Sequence, residues 1–272
     1  MISELPFKST IPELGKIIDG IVKAGEKVLE VYETDFSTEK KDDDSPITQA
    51  DIESNKILKD VLGKTGITIL SEEDTDDKKR LLDDKIWIID PLDGTTDFVN
   101  RTGEFTIMVG LVEKHKSILG LIYWPIKKKM YLAESGKGAF RHDEEWEKIE
   151  TTMMSEMQNC QALVSRHHLS EKEKRLLDEM EIAVVTSIGS SLKVTEIASG
   201  DAEIYLTTTN KMKQWDTCAS NCIISEAGGK MTDMSGNDLV YNTEIVNHEN
   251  GILVTNGLIH QDALDAISRL DS

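Results

Sequence analysis

The chain has 272 residues, with 31 Lys and Arg against 50 Asp and Glu, so its formal net charge at pH 7 is −19. Hydrophobic residues make up 39% of it, which is enough for a core and excludes a wholly disordered chain. The acidic balance disfavours a nucleic-acid-binding surface, which needs Lys and Arg, but allows a small phosphorylated ligand held through metal ions.

The cysteines and the apolar runs predict the compartment. The three cysteines, Cys160, Cys218 and Cys222, are an odd and low number that argues against a disulfide framework and fits a reducing compartment. Cys218 and Cys222 lie one helical turn apart with no partner pair nearby, so we interpret them as core residues. No apolar run approaches the roughly 20 residues that span a bilayer, and the N-terminus lacks the pattern of a secretory signal. We therefore predict a cytoplasmic protein without a transmembrane segment.

The first 150 residues predict two helices followed by an antiparallel sheet. Thr10 and Glu13 have the spacing of a capping box, and an apolar stripe behind them predicts a long amphipathic helix. A polar loop is predicted over 33–45, where it can cover the site, and Thr48 and Asp51 begin a second helix. The strand-like segments are 67–70, 86–89, 105–113, 117–124, 129–134 and 138–141. Turn residues separate several of them, as in an antiparallel sheet.

After residue 150 strands and helices alternate. Strands are predicted near 161–165, 182–186, 203–207 and 251–254, and helices near 170–180, 190–199, 215–227 and 257–270. Alternation of this kind is typical of α/β proteins. We therefore predict an N-terminal α+β domain, residues 1–150, and a C-terminal α/β domain, residues 151–272.

Carboxylates at the ends of two predicted strands indicate a cation site. Asp90 ends one strand, and Pro91 fixes a turn that returns Asp93 to the same point. Glu72 follows the preceding strand-like segment. If the two strands are parallel, their carboxylates cluster, which implies bound metal or raised pKa values.

The turn after Asp90 also offers groups for a phosphate. The carboxylates and the Leu92 carbonyl are ligands that suit Mg²⁺. Free N–H groups near Gly94, Thr95 and Thr96, at a predicted helix start, suit phosphate oxygens.

Each of these acidic residues also has a purely structural interpretation. Asp51 can be the acidic member of a capping box, Glu72 can belong to a solvated loop, and Asp93-Gly94 is a common turn dipeptide. Taken singly, these interpretations are favoured. It is the combined string that indicates a functional site.

Four segments together resemble the signatures of one family. They are Ser45-Pro-Ile-Thr-Gln-Ala-Asp51, Ser71-Glu-Glu73, Trp87-Ile-Ile-Asp-Pro-Leu-Asp-Gly-Thr-Thr-Asp-Phe98, and Gln214-Trp-Asp216 with Glu226-Ala-Gly-Gly229. In this order they resemble the inositol-monophosphatase-like superfamily of Mg²⁺-dependent, lithium-sensitive phosphatases. The resemblance implies a layered αβαβα sandwich of the sugar phosphatase type, with two or three Mg²⁺ ions and inhibition by Li⁺.

Two further segments are similar to the 3′(2′),5′-bisphosphate nucleotidase branch. They are Ser165-Arg-His-His168 and Thr186-Ser-Ile-Gly-Ser-Ser-Leu-Lys193, and Gly103-Glu-Phe-Thr106 also resembles that branch. The resemblance implies that the second phosphate or the sugar of the substrate contacts His168, Ser190 or Ser191, and Lys193. Thr96 stands where the nucleotidases usually have lysine, and the string around it looks closer to the inositol monophosphatases.

The resemblance also implies a mechanism. The implied metal ligands are Glu72, Asp90, the Leu92 carbonyl, Asp93 and Asp216. Glu72 and Thr95 orient the attacking water, and Asp51 accepts a hydrogen bond from Thr95 or helps to take the proton. The further implied substrate contacts are Gly94, Thr95, Thr96 and Asp216. Attack is in line on a phosphate monoester without a covalent intermediate, because phosphoryl transfer depends mainly on positioning and charge neutralisation.

The leading prediction is a phosphatase that removes the 3′-phosphate of adenosine 3′,5′-bisphosphate, giving AMP and phosphate, as in sulfate assimilation. The close alternative is an inositol monophosphatase, or a broad phosphatase that also accepts fructose 1,6-bisphosphate. An alternative of another class is a non-enzymatic protein that binds divalent cations. The predicted partner is a small phosphorylated metabolite rather than a nucleic acid, and the chain is expected to be a monomer or a homodimer.

Overall fold

The computed structural model describes residues 4–40, 46–167 and 169–270. Its helices are α1 (Leu14–Tyr32), α2 (Gln49–Gly63), α3 (Thr95–Val99), α4 (Glu171–Glu179), α5 (Leu192–Ala198), α6 (Gln214–Glu226) and α7 (His260–Leu270). Each coincides with a helix predicted from the sequence, with ends that differ by a few residues. None of these helices is both long enough and apolar enough to cross a membrane.

The start of α2 follows the predicted capping box. The Thr48 hydroxyl accepts a hydrogen bond from the Ala50 amide at 3.1 Å, and Asp51 Oδ2 accepts one from the Thr48 amide at 2.7 Å. These bonds satisfy amides that have no partner within the helix. They also hold the buried Asp51 carboxylate in one orientation.

The start of α1 does not follow the predicted capping box, and that prediction is wrong. Glu13 precedes the helix but makes no capping hydrogen bond. The Thr10 amide and hydroxyl instead donate to Glu134 at 2.8 and 2.6 Å. Glu134 is a buried carboxylate, and a buried charge needs hydrogen-bond donors around it, so it competes successfully for Thr10.

The larger sheet follows chain order. A short antiparallel ribbon precedes it and consists of β1 (Thr38–Lys40) and β2 (Pro46–Thr48). Part of the predicted loop 33–45 is therefore a strand. Residues 41–45 of that loop lie outside the described residues. The strands of the larger sheet are β3 (Thr68–Ser71), β4 (Lys85–Asp93), β5 (Thr106–Glu113), β6 (Lys116–Trp124), β7 (Lys129–Glu134), β8 (Gly138–His142) and β9 (Trp146–Ile149). The β3–β4 pair is parallel and each later pair is antiparallel. The carboxyl ends of β3 and β4 therefore meet at one edge of the sheet, as the prediction required.

The smaller sheet mixes parallel and antiparallel pairs. Its strands are β10 (Gln161–Val164), β11 (Val184–Ser187), β12 (Ile204–Thr207), β13 (Lys230–Thr232) and β14 (Ile252–Thr255), in the order β11-β10-β12-β14-β13. The pairs of β10 are parallel and those of β14 are antiparallel. The edge strands β9 and β13, of four and three residues, were not predicted from the sequence. The predicted division into two domains at residue 150 stays a prediction.

The elements stack in five layers, which confirms the predicted αβαβα sandwich. On β4, Trp87 and Ile89 face the core under α1 and α2, whereas Ile86 and Ile88 face a middle core that contains α5 and α6. A third core, on the other face of the smaller sheet, contains residues of α4 and α7. Strands with apolar side chains on both faces are typical of sheets covered by helices on both sides.

Helix α6 lies directly on the larger sheet because two paired glycines leave room for it. Gly110 and Gly120 are opposite one another on β5 and β6. A Cβ atom at either position would collide with Cys218 or Ala219 of α6. Cys218 and Cys222 are buried and free, as the sequence predicted. The close approach of α6 to the sheet brings the start of the helix to the edge where β3 and β4 end.

Candidate active site

A cavity of about 720 Å³ opens where β3 and β4 end and where α3, α5 and α6 begin. The predicted site residues that line it are Glu72, Asp90, Leu92, Asp93, Gly94, Thr95, Thr96, Ser190, Ser191, Lys193 and Asp216. Asp51 lies beneath the cavity and contacts Thr95. His168 lies outside the described residues, and its predicted role stays a prediction.

Three carboxylates converge in the described part of the chain. Ligand oxygens of Glu72, Asp90 and Asp216 lie within 4.8 Å of one another. Glu72 continues the β3–β4 ladder, since its amide donates to the Ile89 carbonyl at 3.2 Å, and this places it beside Asp90. Asp216 comes from the first turn of α6, where its carboxylate accepts a hydrogen bond from the Lys213 amide at 2.7 Å.

The cluster is electrostatically unfavourable without a cation. Burial raises the pKa of Asp90 well above its usual range, and the charges of Glu72, Asp93 and Asp216 raise it further. Burial also raises the pKa of Asp216, with Glu72 and Asp93 again adding to the shift. A divalent cation between these oxygens would remove both penalties.

Asp93 is a neighbour of this three-carboxylate cluster that makes hydrogen bonds of its own. Its Oδ2 accepts hydrogen bonds from the Ser191 amide at 2.5 Å and from the Thr106 hydroxyl at 3.2 Å. Burial raises the pKa of Asp93, while the charge of Lys193 and the bonds from Ser191 oppose that rise. Asp93 therefore joins β4 to the start of α5, and its assignment as a metal ligand stays a prediction.

Thr95 and Asp51 come together as predicted. The Thr95 hydroxyl lies 3.3 Å from Asp51 Oδ1 and 3.2 Å from the Leu92 carbonyl oxygen. Gly94 precedes α3 with φ of +91°, a conformation that favours glycine, and an added Cβ would lie 3.0 Å from the Glu104 carbonyl oxygen. The tight turn thus places the Thr95 hydroxyl between Asp51 and the cavity.

The first turn of α5 supplies a buried cation. Lys193 Nζ donates to the Ser190 carbonyl at 2.6 Å and lies 5.2 Å from the centre of the Tyr205 ring. Burial lowers the pKa of Lys193, while the charges of Asp93 and other nearby carboxylates oppose the shift. The Ser191 hydroxyl is hydrogen-bonded to that of Thr106 at 2.7 Å. The contacts of Ser190, Ser191 and Lys193 with substrate stay predictions.

A polar group beside the cavity was not predicted from the sequence. Arg166 pairs with Glu104 at 2.6 Å, and Glu104 Oε2 also accepts a hydrogen bond from the Gly189 amide at 2.7 Å. His167, which the sequence analysis did not select, lines the cavity with its Nε2 3.2 Å from Asp97 Oδ1. All of these residues lie in segments that carried the resemblance, but spacing alone did not indicate which side chains would meet.

Known proteins share both the sequence and the fold. The chain is 35% identical over 228 residues to the 3′(2′),5′-bisphosphate nucleotidase CysQ of Salmonella typhimurium, which covers 80% of this chain and 89% of that protein. The crystal structure of CysQ from Bacteroides thetaiotaomicron has a TM-score of 0.78 at 30% identity and covers 90% of this chain and 98% of its own. An IMPase/NADP phosphatase solved with Mg²⁺ and phosphate has the same fold, with a TM-score of 0.80 at 20% identity over 95% of this chain and 96% of its own.

These matches confirm the resemblance inferred from the four segments. A model of the inositol monophosphatase family matches residues 16–270, which include the cluster, the Thr95 turn and Lys193. The chain therefore belongs to the inositol monophosphatase family.

Proposed function

We propose that this protein is a Mg²⁺-dependent phosphatase that removes the 3′-phosphate of adenosine 3′,5′-bisphosphate and releases AMP and phosphate. The observation that carries the proposal is that the Glu72–Asp90–Asp216 cluster and the Lys193 ammonium line the same cavity. A bisphosphate substrate needs both features, because the carboxylate cluster would hold the metal beside the phosphate to be removed, while the second phosphate needs a separate cation. The similarity to the nucleotidases named CysQ supports the same assignment.

The donor set fits Mg²⁺. Glu72, Asp90 and Asp216 present hard carboxylate oxygens close together, which is the ligand type that Mg²⁺ prefers. These three residues would hold the ion, with Asp93 and the Leu92 carbonyl as the remaining proposed ligands. When bound, Mg²⁺ lowers the pKa of a coordinated water and neutralises charge on the phosphate and the leaving oxygen. The fold match to a phosphatase solved with Mg²⁺ and phosphate is consistent with this assignment.

The residues of the Thr95 turn orient the reactants. The Thr95 hydroxyl can donate to Asp51 Oδ1, 3.3 Å away, and this leaves its oxygen free to accept a hydrogen bond from the attacking water. Asp51 Oδ1 is then the acceptor for a proton that passes through Thr95. The amides of Gly94, Thr95 and Thr96 lie at the start of α3, where they have no partner within the helix and can donate to phosphate oxygens.

The apolar part of the cavity lining suits a nucleoside. The cavity is lined in part by apolar side chains of Leu169, Val194, Met212, Met231 and Ile252. A volume of about 720 Å³ is within the usual range for a drug-sized ligand, and an inositol ring would leave most of it empty. Apolar walls near a buried cation match a base attached to a phosphorylated sugar.

An inositol monophosphatase is the second candidate. Thr96 lines the cavity at the position where nucleotidases usually have lysine, so one expected cationic contact to substrate is replaced by a hydroxyl. Inhibition by Li⁺ is proposed for either activity, since it is implied by the family. We also propose a cytoplasmic location, with which three buried free thiols agree.

One assay tests the proposal. Phosphate release is measured from adenosine 3′,5′-bisphosphate, inositol 1-phosphate and fructose 1,6-bisphosphate in parallel, with Mg²⁺ and with or without Li⁺. We expect kcat/KM for the nucleotide to exceed the other two by at least about 10-fold, which corresponds to one charge-assisted hydrogen bond. Comparable turnover of all three would contradict the nucleotidase assignment, and no turnover of any would favour a non-enzymatic cation-binding protein.

A pair of variants links that activity to the cluster. Asp90→Asn removes a ligand charge and should lower kcat/KM by at least about 100-fold. Glu134→Gln is the matched control, because Glu134 is also a nearly fully buried carboxylate of the larger sheet but does not line the cavity. Equal losses in the two variants would contradict a specific role for the cluster.

A further inference from the structure

Asp216 is held differently from the other two carboxylates of the cluster. Glu72 directly follows β3, and Asp90 lies in β4 just past its last residue paired with β3, so the β3–β4 ladder fixes the distance between them. Asp216 belongs to α6, which lies far later in the chain and pairs with neither strand. Some other contact must therefore set its distance to Glu72 and Asp90.

A buried amide two residues before Asp216 provides the first part of that contact. Gln214 Oε1 accepts a hydrogen bond from the Asn242 amide at 2.7 Å. Gln214 Nε2 donates to the Thr243 hydroxyl at 2.6 Å and to the Ile245 carbonyl at 3.2 Å. Gln214 is only 1% exposed, and its three bonds fix segment 242–245 along the first turn of α6.

Asn242 connects that segment to the larger sheet. Its Oδ1 accepts from Arg80 Nη1 at 2.9 Å, and its Nδ2 donates to the Arg80 carbonyl at 3.1 Å and to the Asp83 carbonyl at 2.9 Å. Both ends of the side-chain amide are therefore bonded to the connection between β3 and β4. Its φ of +55° is a left-handed conformation that asparagine tolerates better than most residues.

Arg80 completes the connection from a buried position. Its guanidinium donates to both carboxylate oxygens of Asp76, at 2.7 Å for the Nη2–Oδ2 pair, and to the Thr243 carbonyl at 3.0 Å. Arg80 is 2% exposed and belongs to the chain segment that connects β3 to β4. A continuous chain of buried hydrogen bonds thus joins the β3–β4 connection to the start of α6.

We propose that the Arg80–Asn242–Gln214 chain is a positioning device that holds Asp216 against Glu72 and Asp90 and thereby sets the affinity of the cluster for Mg²⁺. The inference rests on the proposed metal role of these carboxylates. Three negative groups within 4.8 Å repel one another, so the element that is not held by the sheet ladder moves away unless other contacts oppose it. Contacts that orient metal ligands in this way typically change metal affinity about 10- to 100-fold.

The test measures Mg²⁺ binding to the full chain by isothermal titration calorimetry, together with the free energy of unfolding without metal. Asn242→Gly removes the amide but keeps the left-handed backbone, and Arg80→Met removes the guanidinium but keeps the apolar stem. Each should raise the Kd for Mg²⁺ by about 10-fold or more.

Asn256→Ala is the matched control. Asn256 is 1% exposed, and its Nδ2 donates to the Thr152 and Met154 carbonyls at 3.3 and 2.8 Å, so it also joins separate parts of the chain through a buried amide. It does not line the cavity. The control should lose stability while its Kd for Mg²⁺ stays within about twofold of the original.

The outcomes separate this inference from the proposed function. Wild-type affinity in both Asn242→Gly and Arg80→Met, or an equal loss of affinity in Asn256→Ala, would overturn the positioning role. Failure of the unmodified chain to bind Mg²⁺ would overturn the proposed function itself. A loss of affinity in either test variant without a comparable loss in the control supports the inference.

Discussion

Replacing Asp216 by asparagine should stabilise the protein when no metal is bound and should abolish its response to Mg²⁺. Asp216 has two carboxylate neighbours, Glu72 and Asp90, with ligand oxygens within 4.8 Å. At that distance two unit charges repel by about 3.5 kcal/mol with an effective dielectric constant near 20. Two such pairs give about 7 kcal/mol if every group is ionised.

The measurable gain is smaller than this repulsion. Burial raises the pKa values of Asp90 and Asp216, and their neighbours raise them further, so full ionisation of the metal-free cluster is disfavoured and the full repulsion is an upper bound. Asparagine can still accept the hydrogen bond from the Lys213 amide through its carbonyl oxygen. We therefore expect Asp216→Asn to increase the free energy of unfolding by about 1–3 kcal/mol without metal.

Urea unfolding at pH 8, followed by tryptophan fluorescence in EDTA and in Mg²⁺, measures both effects. Mg²⁺ should raise the free energy of unfolding of the unmodified chain, by more the more tightly the ion binds. The free energy of unfolding of Asp216→Asn should be nearly the same with and without Mg²⁺. The control is Glu134→Gln. In the unmodified chain, the buried Glu134 carboxylate accepts hydrogen bonds from the Thr10 amide and hydroxyl and from the Ser9 hydroxyl. The free energy of unfolding of Glu134→Gln should be lower by about 1–3 kcal/mol both in EDTA and in Mg²⁺. An Asp216→Asn protein that is less stable than the original in EDTA would refute the reasoning.

Three further predictions concern individual residues. Asp93→Asn should nearly abolish Mg²⁺-dependent phosphate release while circular dichroism shows an intact fold; near-normal turnover would contradict its place in the site. Lys193→Met should raise KM for adenosine 3′,5′-bisphosphate by about 10- to 100-fold, because a charge-assisted contact is worth about 1.5–3 kcal/mol, and should raise KM for inositol 1-phosphate much less. Burial lowers the pKa of His260 from 6.5 to about 4. As the pH falls, His260 is therefore protonated in the unfolded chain before it is protonated in the folded chain. The free energy of unfolding should fall by up to about 3 kcal/mol as the pH drops from 6.5 to 4. Urea unfolding across that range should show a shallower slope for His260→Leu, and parallel slopes would refute the assignment.

Local patterns in the sequence were sufficient where the structure depends on near neighbours. Thr48 and Asp51 close a capping box within four residues, and Asp90 to Thr95 form one turn in which proline and glycine determine the backbone. The parallel pairing of β3 and β4 then brings Glu72 beside Asp90, as their matching strand ends indicated. Such contacts are readable because hydrogen bonds between close residues depend mainly on their spacing.

Contacts between distant parts of the chain required the tertiary structure. Thr10 bonds to Glu134 instead of forming its predicted cap, and the Ser191 amide donates to Asp93, which lies 98 residues earlier in the chain. Neither partner carries a sequence signal for the other, because burial makes the bond favourable and burial is decided by packing.

By itself the sequence determined the layered fold class, the carboxylates that end β3 and β4, and the family to which they belong. Only the tertiary structure decided how Asp216 reaches them. Two glycines let α6 approach the sheet, and the buried bonds of Arg80, Asn242 and Gln214 link its first turn to the β3–β4 connection. The physical reason is that like charges oppose this arrangement, so it exists only where packing and hydrogen bonds from distant residues hold it in place.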